Sequence, residues 1–315
     1  MIISASRRTD IPALYDEWFM NRVRAGWCAV PNPRNAKRVS HVSLQPGEVD
    51  AIVFWSKNPT PLLPHLDELD SMGFNYYFLF TLNDYPGKLE PNLPSLDERL
   101  ETFLSLSQRT GPLRVVWRYD PIIISNATTF DYHVERFARI AAELKGATHR
   151  IVVSFVDYYR KTERRLGGLE REGFEFDRQA ESSEHAPVFL KELASIARKQ
   201  DMEMFTCAED RDYTQCGVPP GRCIDDQLMR SLWPLHLGYK KDLSQRDLCL
   251  CAVSKDIGVS DTCTQGCPYC YSTVSNEVAR RRYEEHDPGS PALWGRSAPD
   301  DEPMESHPRQ MRLLK

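Results

Sequence analysis

Alternation constrains this chain more than any other feature. Six short, almost wholly apolar runs are separated by segments whose apolar residues recur at helical spacing. The runs are Ile2–Ser6, Ala51–Trp55, Tyr76–Thr81, Leu113–Arg118, Ile151–Val156 and Glu203–Cys207. Near-continuous apolarity, rather than alternation with polar residues, is expected of a parallel strand covered on both faces. Ile11, Leu14, Tyr15, Trp18, Phe19 and Val23 form the first helical stripe, with Asp10 placed to cap it and Gly26 to stop it. Leu62, Leu63, Leu66, Leu69 and Met72 repeat the pattern up to Gly73. Ser95 and Glu98 make a capping-box signature ahead of Leu96, Leu100, Phe103 and Leu104. Two more stripes run from Val134 to Leu144 and from Phe189 to Ala197. Such a β-α repeat with right-handed crossovers folds as an open doubly wound sheet or as a barrel. Periodicity alone does not choose between them.

A chain of 315 residues can bury a full core without disulfides. Its net charge of −5 offers no general nucleic-acid-binding surface, and no apolar stretch approaches membrane-spanning length. Nine cysteines with no cationic, apolar leader point to a reducing cytoplasm, where cysteine clusters signal metal more often than disulfides. The expected organisation is an α/β domain over 1–210, a cysteine-rich segment over 211–286 packed on it, and a disordered tail over 287–315. Lys161–Ser183 is highly charged and reads as a loop after the fifth strand, either a solvated insertion or a lid.

The chemistry concentrates in Cys263-Thr-Gln-Gly-Cys267-Pro-Tyr269-Cys270-Tyr271, a C-x3-C-x2-C loop. Three thiolates on one short loop can each hold one iron of a cubane cluster, leaving the fourth iron open to a small molecule. The last pair alone would fit half of a zinc site or a redox pair. Four further cysteines, Cys207, Cys223, Cys249 and Cys251, could complete a second cluster or a zinc site, with Cys216 nearby. They could equally fill a core as small hydrophobes, the reading that best suits the isolated Cys28.

The loop resembles that of radical S-adenosylmethionine enzymes. In those proteins the open iron of a [4Fe–4S] cluster takes the amino and carboxylate groups of S-adenosylmethionine, and one electron cleaves the sulfonium to a 5′-deoxyadenosyl radical. That resemblance implies a partial (β/α)6 TIM-like barrel with a cysteine-rich C-terminal extension, and cofactor contacts from Tyr269 and Tyr271. It also implies an electron donor such as flavodoxin or ferredoxin. In most such enzymes the cysteine loop follows the first strand; here it follows all six. With that layout, the chain resembles the domain-of-unknown-function family numbered 1848. The resemblance is carried by Ser4-Ala-Ser-Arg-Arg-Thr-Asp-Ile-Pro12, Val53-Phe-Trp-Ser-Lys-Asn-Pro59, Val116-Trp-Arg-Tyr-Asp-Pro121, Cys207-Ala-Glu209, Cys223-Ile-Asp225, Gln245-Arg246 and Ser254–Tyr271.

Active sites of β/α folds form at the C-terminal strand ends. Charged residues immediately follow the expected strands there: Arg7, Arg8, Asp10, Lys57, Arg118, Asp120 and Glu209 are the candidate catalytic or substrate-binding groups. Their alternative role is a salt-bridge network closing the mouth. The expected function is a radical S-adenosylmethionine-type enzyme acting on an unidentified, small-molecule or other substrate. The rival readings are a non-catalytic iron–sulfur protein for electron transfer or redox sensing, and a zinc-dependent barrel enzyme.

Overall fold

The computed structural model describes residues 1–296. Nine strands are present among them: β1 (Ile2–Ala5), β2 (Trp27–Asn32), β3 (Asn35–Ser43), β4 (Ala51–Ser56), β5 (Tyr76–Thr81), β6 (Val115–Ile122), β7 (Arg150–Phe155), β8 (Glu203–Thr206) and β9 (Lys255–Asp256). The helices are α1 (Ile11–Leu14), α2 (Asp16–Ala25), α3 (Leu66–Ser71), α4 (Leu96–Thr110), α5 (Phe130–Glu143), α6 (Arg160–Glu170), α7 (His185–Lys199), α8 (Asp226–Leu232) and α9 (Asn276–Glu284). Seven strands form one parallel sheet in the order β8-β7-β6-β5-β4-β1-β9. The sheet is open at β8 and β9, with no pairing that closes it among the described residues. The fold is α/β, as expected. None of the described helices is long and apolar enough to cross a membrane.

All six expected strands form within about two residues at their N-terminal ends, and β6 runs four residues beyond its expected end. Local signals explain the helices. The Ser95 hydroxyl and Glu98 carboxylate cap α4 reciprocally, Asp10 accepts from the Ala13 amide at the start of α1, and Gly26 ends α2 at φ 76°. That positive φ is open to glycine at little cost, and a side chain there would also press on Gln45.

The two sheet faces are covered differently. Ile3, Phe54, Phe78, Trp117 and Val153 face a core shared with residues of α2, α4, α5 and α7. The alternate residues Ile2, Val53, Tyr77, Leu79, Val116 and Val152 face Cys223, Ile224, Met229, Cys249 and Cys251. The long helices thus cover one face, and the cysteine-rich segment, with its short helix α8, covers the other.

Three expectations are corrected. The β2–β3 hairpin was not foreseen, and β9 adds a seventh strand beside β1. Lys161–Ser183 is not a plain loop: α6 occupies its first half, burying Thr162 and Leu166, and Phe176 is buried beyond it. The start of the expected disordered tail is packed. Trp18 Nε1 donates to Ser290 O at 2.9 Å, Ala29 N to Pro291 O at 2.9 Å, and Leu293 is buried. The remainder of that tail, 297–315, lies outside the described residues.

Candidate functional site

A cavity of about 550 Å³ opens at the C-terminal ends of the parallel strands. Each of the seven contributes: Ser6 and Arg7 after β1, Ser56 and Lys57 from β4, Thr81 from β5, Arg118 and Asp120 from β6, Ser154 from β7, Cys207 after β8, and Asp256 from β9. Cys263, Cys267 and Cys270 line the same cavity, as do Cys207, Cys223, Cys249 and Cys251. Both cysteine sets therefore converge on one space, although the sequence separates them by up to 63 positions, from Cys207 to Cys270. The hairpin supplies part of the rim through Val30, Pro31 and Asn32.

The route by which a late loop reaches the strand mouth is visible in Asp256. Its carboxylate accepts from Ser6 Oγ at 2.7 Å, Arg7 N at 2.9 Å, Gly258 N at 3.0 Å and Ser4 Oγ at 3.2 Å. One buried-edge carboxylate thus binds β9 to the end of β1. Gly258 must be glycine here because an added Cβ would lie 2.0 Å from Ser6 Oγ. Downstream, Tyr15 OH donates to Thr262 O at 2.7 Å, Ser272 Oγ to Arg8 O at 2.7 Å, and Tyr271 OH to Arg7 O at 2.8 Å. The loop is fastened at both ends.

Inside the loop the two tyrosines behave differently. Tyr269 is buried; its hydroxyl donates to Glu90 Oε1 at 2.5 Å and its ring lies 5.5 Å from Lys57 Nζ. Tyr271 keeps about half of its surface exposed and meets the Tyr159 ring at 6.5 Å. Arg165 on α6 donates to Pro268 O at 2.9 Å and also to Cys270 O, so the segment expected as a solvated insertion or a lid instead braces the loop. Burial pushes the Cys267 thiol up to about 12 and Cys263 well above its ordinary value. Cys270 Sγ accepts the Ser272 amide at 3.4 Å.

The other four cysteines gather at one end of the cavity's lining beneath the cysteine-rich segment. Cys207 Sγ and Cys223 Sγ are 3.4 Å apart, and Cys223, Cys249 and Cys251 are buried in one cluster. The neighbouring Cys223 and Cys249 hold the Cys251 thiol below its usual range, while Cys223 and Cys249 are pushed up. Cys251 Sγ also accepts the Ile224 amide at 3.3 Å. Tyr77 hydroxyl donates to Cys223 O, and Asp225, paired with Arg150 at 2.7 Å, caps α8. Arg246 donates to Cys207 O at 3.3 Å and pairs with Asp157. Cys28 is buried in the core as expected, and Cys216 packs at the core edge outside the cavity lining. Among the described residues, no three His, Cys, Asp or Glu side chains stand around a common point as a ready metal-ion site.

The charged candidates are mostly paired. Lys57 Nζ sits 2.7 Å from Glu90, Arg118 2.5 Å from Asp120, Arg7 3.6 Å from Asp242, and Arg8 4.0 Å from Asp256. Asp10 accepts from the Lys57 amide at 2.8 Å, and burial pushes its carboxyl up to about 6. Arg7 and Arg118 flank the Trp55 ring at 5.4 and 4.9 Å. Arg7 Nη2 and Arg118 Nε are buried without a hydrogen-bond partner. Glu209 departs from expectation: it lies outside the cavity lining, accepts the Phe155 amide at 3.2 Å, and is pushed up to about 10 by burial and by Glu181. Its strand ends at Thr206, and the chain has turned away by position 209. Sequence reasoning missed Glu90, Arg165 and Asp256, since none sits in a recognisable ligand or catalytic spacing. Trp55, within a quoted family stretch, was the one available hint of an arginine-stacking platform.

The family model described as Domain of unknown function (DUF1848) matches residues 2–272. The chain belongs to that family. No curated protein and no solved structure matches it. The DUF1848 match ends at Ser272, the residue whose hydroxyl ties the cysteine loop to Arg8.

Proposed function

We propose that this DUF1848 chain is a radical S-adenosylmethionine-type enzyme in which Cys263, Cys267 and Cys270 hold a [4Fe–4S] cluster. The observation that carries the reading is the position of these three cysteines over the C-terminal strand ends, where β/α catalysis is built. A loop after the last strands thus occupies the mouth that a loop after the first strand would serve. We further read the sheet as a partial barrel, because the long helices cover one face and the other carries only the short α8 within the cysteine-rich segment; a doubly wound sheet carries crossover helices on both.

The donor set fits the group: three thiols on one short loop, no fourth cysteine within that loop, and an amide donating to Cys270 Sγ. When bound, such a cluster supplies an electron for reductive cleavage of S-adenosylmethionine, with flavodoxin or ferredoxin as the class of donor. The chain's own residues bind, orient and shield. Tyr159 and Tyr271 present exposed rings at the cavity edge suited to stacking on a purine. Arg8, partly exposed, is the cationic group best placed to meet an anionic substrate group. Tyr269 positions the loop through Glu90 rather than presenting its hydroxyl to the cavity. Burial favours the protonated thiols of Cys263 and Cys267, and holding the cluster would require those protons to leave.

The test is anaerobic reconstitution with iron and sulfide, reduction, addition of S-adenosylmethionine, and assay for 5′-deoxyadenosine. The reading expects that product from the natural chain and its loss in Cys267→Ala. An intact cluster that yields none would make the protein an electron carrier or redox sensor instead.

A further inference from the structure

We propose that Cys207, Cys223, Cys249 and Cys251 form a second, separate metal site that takes one tetrahedral thiophilic ion, zinc or a single iron, rather than a cubane. The site does not depend on the radical reading above. Three observations converge on it.

The first is spacing. A tetrahedral ion with metal–sulfur bonds of about 2.3 Å places its sulfurs about 3.8 Å apart. Cys207 and Cys223 already stand 3.4 Å apart, and Cys249 and Cys251 are buried with Cys223 against the same sheet face and line the same cavity. A cubane takes each thiolate at a different iron and spreads them beyond mutual contact. The four sulfurs do not yet surround a common point, and the close Cys207–Cys223 pair is the edge about which Cys249 and Cys251 would rotate to enclose an ion.

The second is support. The three anchoring points are fixed independently of any ion: Cys207 by Arg246, Cys223 by Tyr77, and Cys251 by the Ile224 amide. Outer hydrogen bonds of this kind orient ligands before metal arrives. Cys223, Cys249 and Cys251 also lie against the sheet face covered by the cysteine-rich segment, so an ion there would fasten that segment to the strands.

The third is charge. A divalent ion with four thiolates carries a net charge of −2, obtained when four protons leave to solvent. Arg7 interacts electrostatically with Cys251, and Arg118 with Cys207 and Cys223. Both guanidiniums are already ion-paired, Arg7 with Asp242 and Arg118 with Asp120, yet each keeps a buried N–H without a partner that can donate to a thiolate.

The experiment uses the full chain carrying Cys263→Ala, Cys267→Ala and Cys270→Ala, purified without oxygen and assayed for metals and acid-labile sulfide. The expected result is about one zinc or iron per chain with no sulfide, exchangeable for cobalt with tetrahedral thiolate absorption. Adding Cys251→Ser should lower the bound ion to roughly a tenth or less. Metal-free protein, or about four irons with equal sulfide, would overturn the proposal. A measurement on the natural chain guards against a misfolded variant: alkylation mapped by mass spectrometry before and after chelation. The four cysteines should become reactive together only after chelation; reactivity indifferent to chelator would also overturn it.

Discussion

Replacing Glu90 by glutamine tests the packing beneath the cysteine loop. The carboxylate is almost fully buried, with Lys57 Nζ at 2.7 Å, Arg99 Nη1 at 3.4 Å and the Tyr269 hydroxyl at 2.5 Å. Burial alone would push its pKa up, yet Lys57 and Arg99 overcome this and hold it below the ordinary value. Its stabilising contribution is therefore present above the usual carboxylate range and is lost as pH falls through the depressed value. Glutamine keeps the volume and removes the charge, leaving two largely buried cations without their shared partner. Breaking a buried pair in this way costs about 3–5 kcal/mol. With an unfolding entropy of about 2.1 cal/mol/K per residue over 315 residues, that lowers the melting temperature by about 6 °C. Differential scanning calorimetry reads it directly, and adding Lys57→Met should recover part of the loss by removing one orphaned cation. A Glu90→Gln protein melting within about 1 °C of the parent would refute the reasoning. On the proposed cluster reading, iron retention after reconstitution should fall as well, because Tyr269 lies between Cys267 and Cys270.

His133 is buried, its Nδ1 2.7 Å from the Tyr119 hydroxyl and its Nε2 2.9 Å from Ile123 O, and burial lowers it to about 4 from 6.5. Its neutral form is the stable one. The unfolded chain takes the proton first, so stability should fall by about 3 kcal/mol as pH drops from 6.5 to about 4, an effect absent in His133→Gln when denaturant midpoints are compared across that range. Gly258→Ala should cost about 1–3 kcal/mol, read as a lower denaturant midpoint, because its Cβ would meet Ser6 Oγ at 2.0 Å; an unchanged midpoint would show that β9 is held otherwise. Arg165→Ala should speed amide exchange over 263–272 by roughly tenfold or more, since two loop carbonyls lose a charged donor worth about 1.5–3 kcal/mol each. Exchange confined to α6 would contradict the bracing role.

The parallel strands were legible because their apolar runs are long and bounded by capped helices. The hairpin was not, since Pro31, Pro33 and the cations Arg34, Lys37 and Arg38 interrupt any alternation. β9 is two polar residues that become a strand only by pairing with β1, a tertiary effect that no local pattern carries. α6 was read as a loop because its apolar stripe is as narrow as Thr162 and Leu166. At the site, the three-cysteine loop and the strand-end charges were readable from spacing and position. Their partners were not: Glu90, Asp256 and Arg165 act through space, each more than 30 positions from a residue it holds. The adjacency of the two cysteine sets belongs to the same class, being set by how the segment after β8 folds back across the sheet.

Electron paramagnetic resonance of the reconstituted, reduced natural chain, recorded with and without S-adenosylmethionine, tests the central claim most directly. An iron left free by Cys263, Cys267 and Cys270 should take the added molecule, so the cluster signal should change on its addition and the change should vanish in Cys270→Ala. A cluster signal identical in the presence and absence of S-adenosylmethionine would contradict the account.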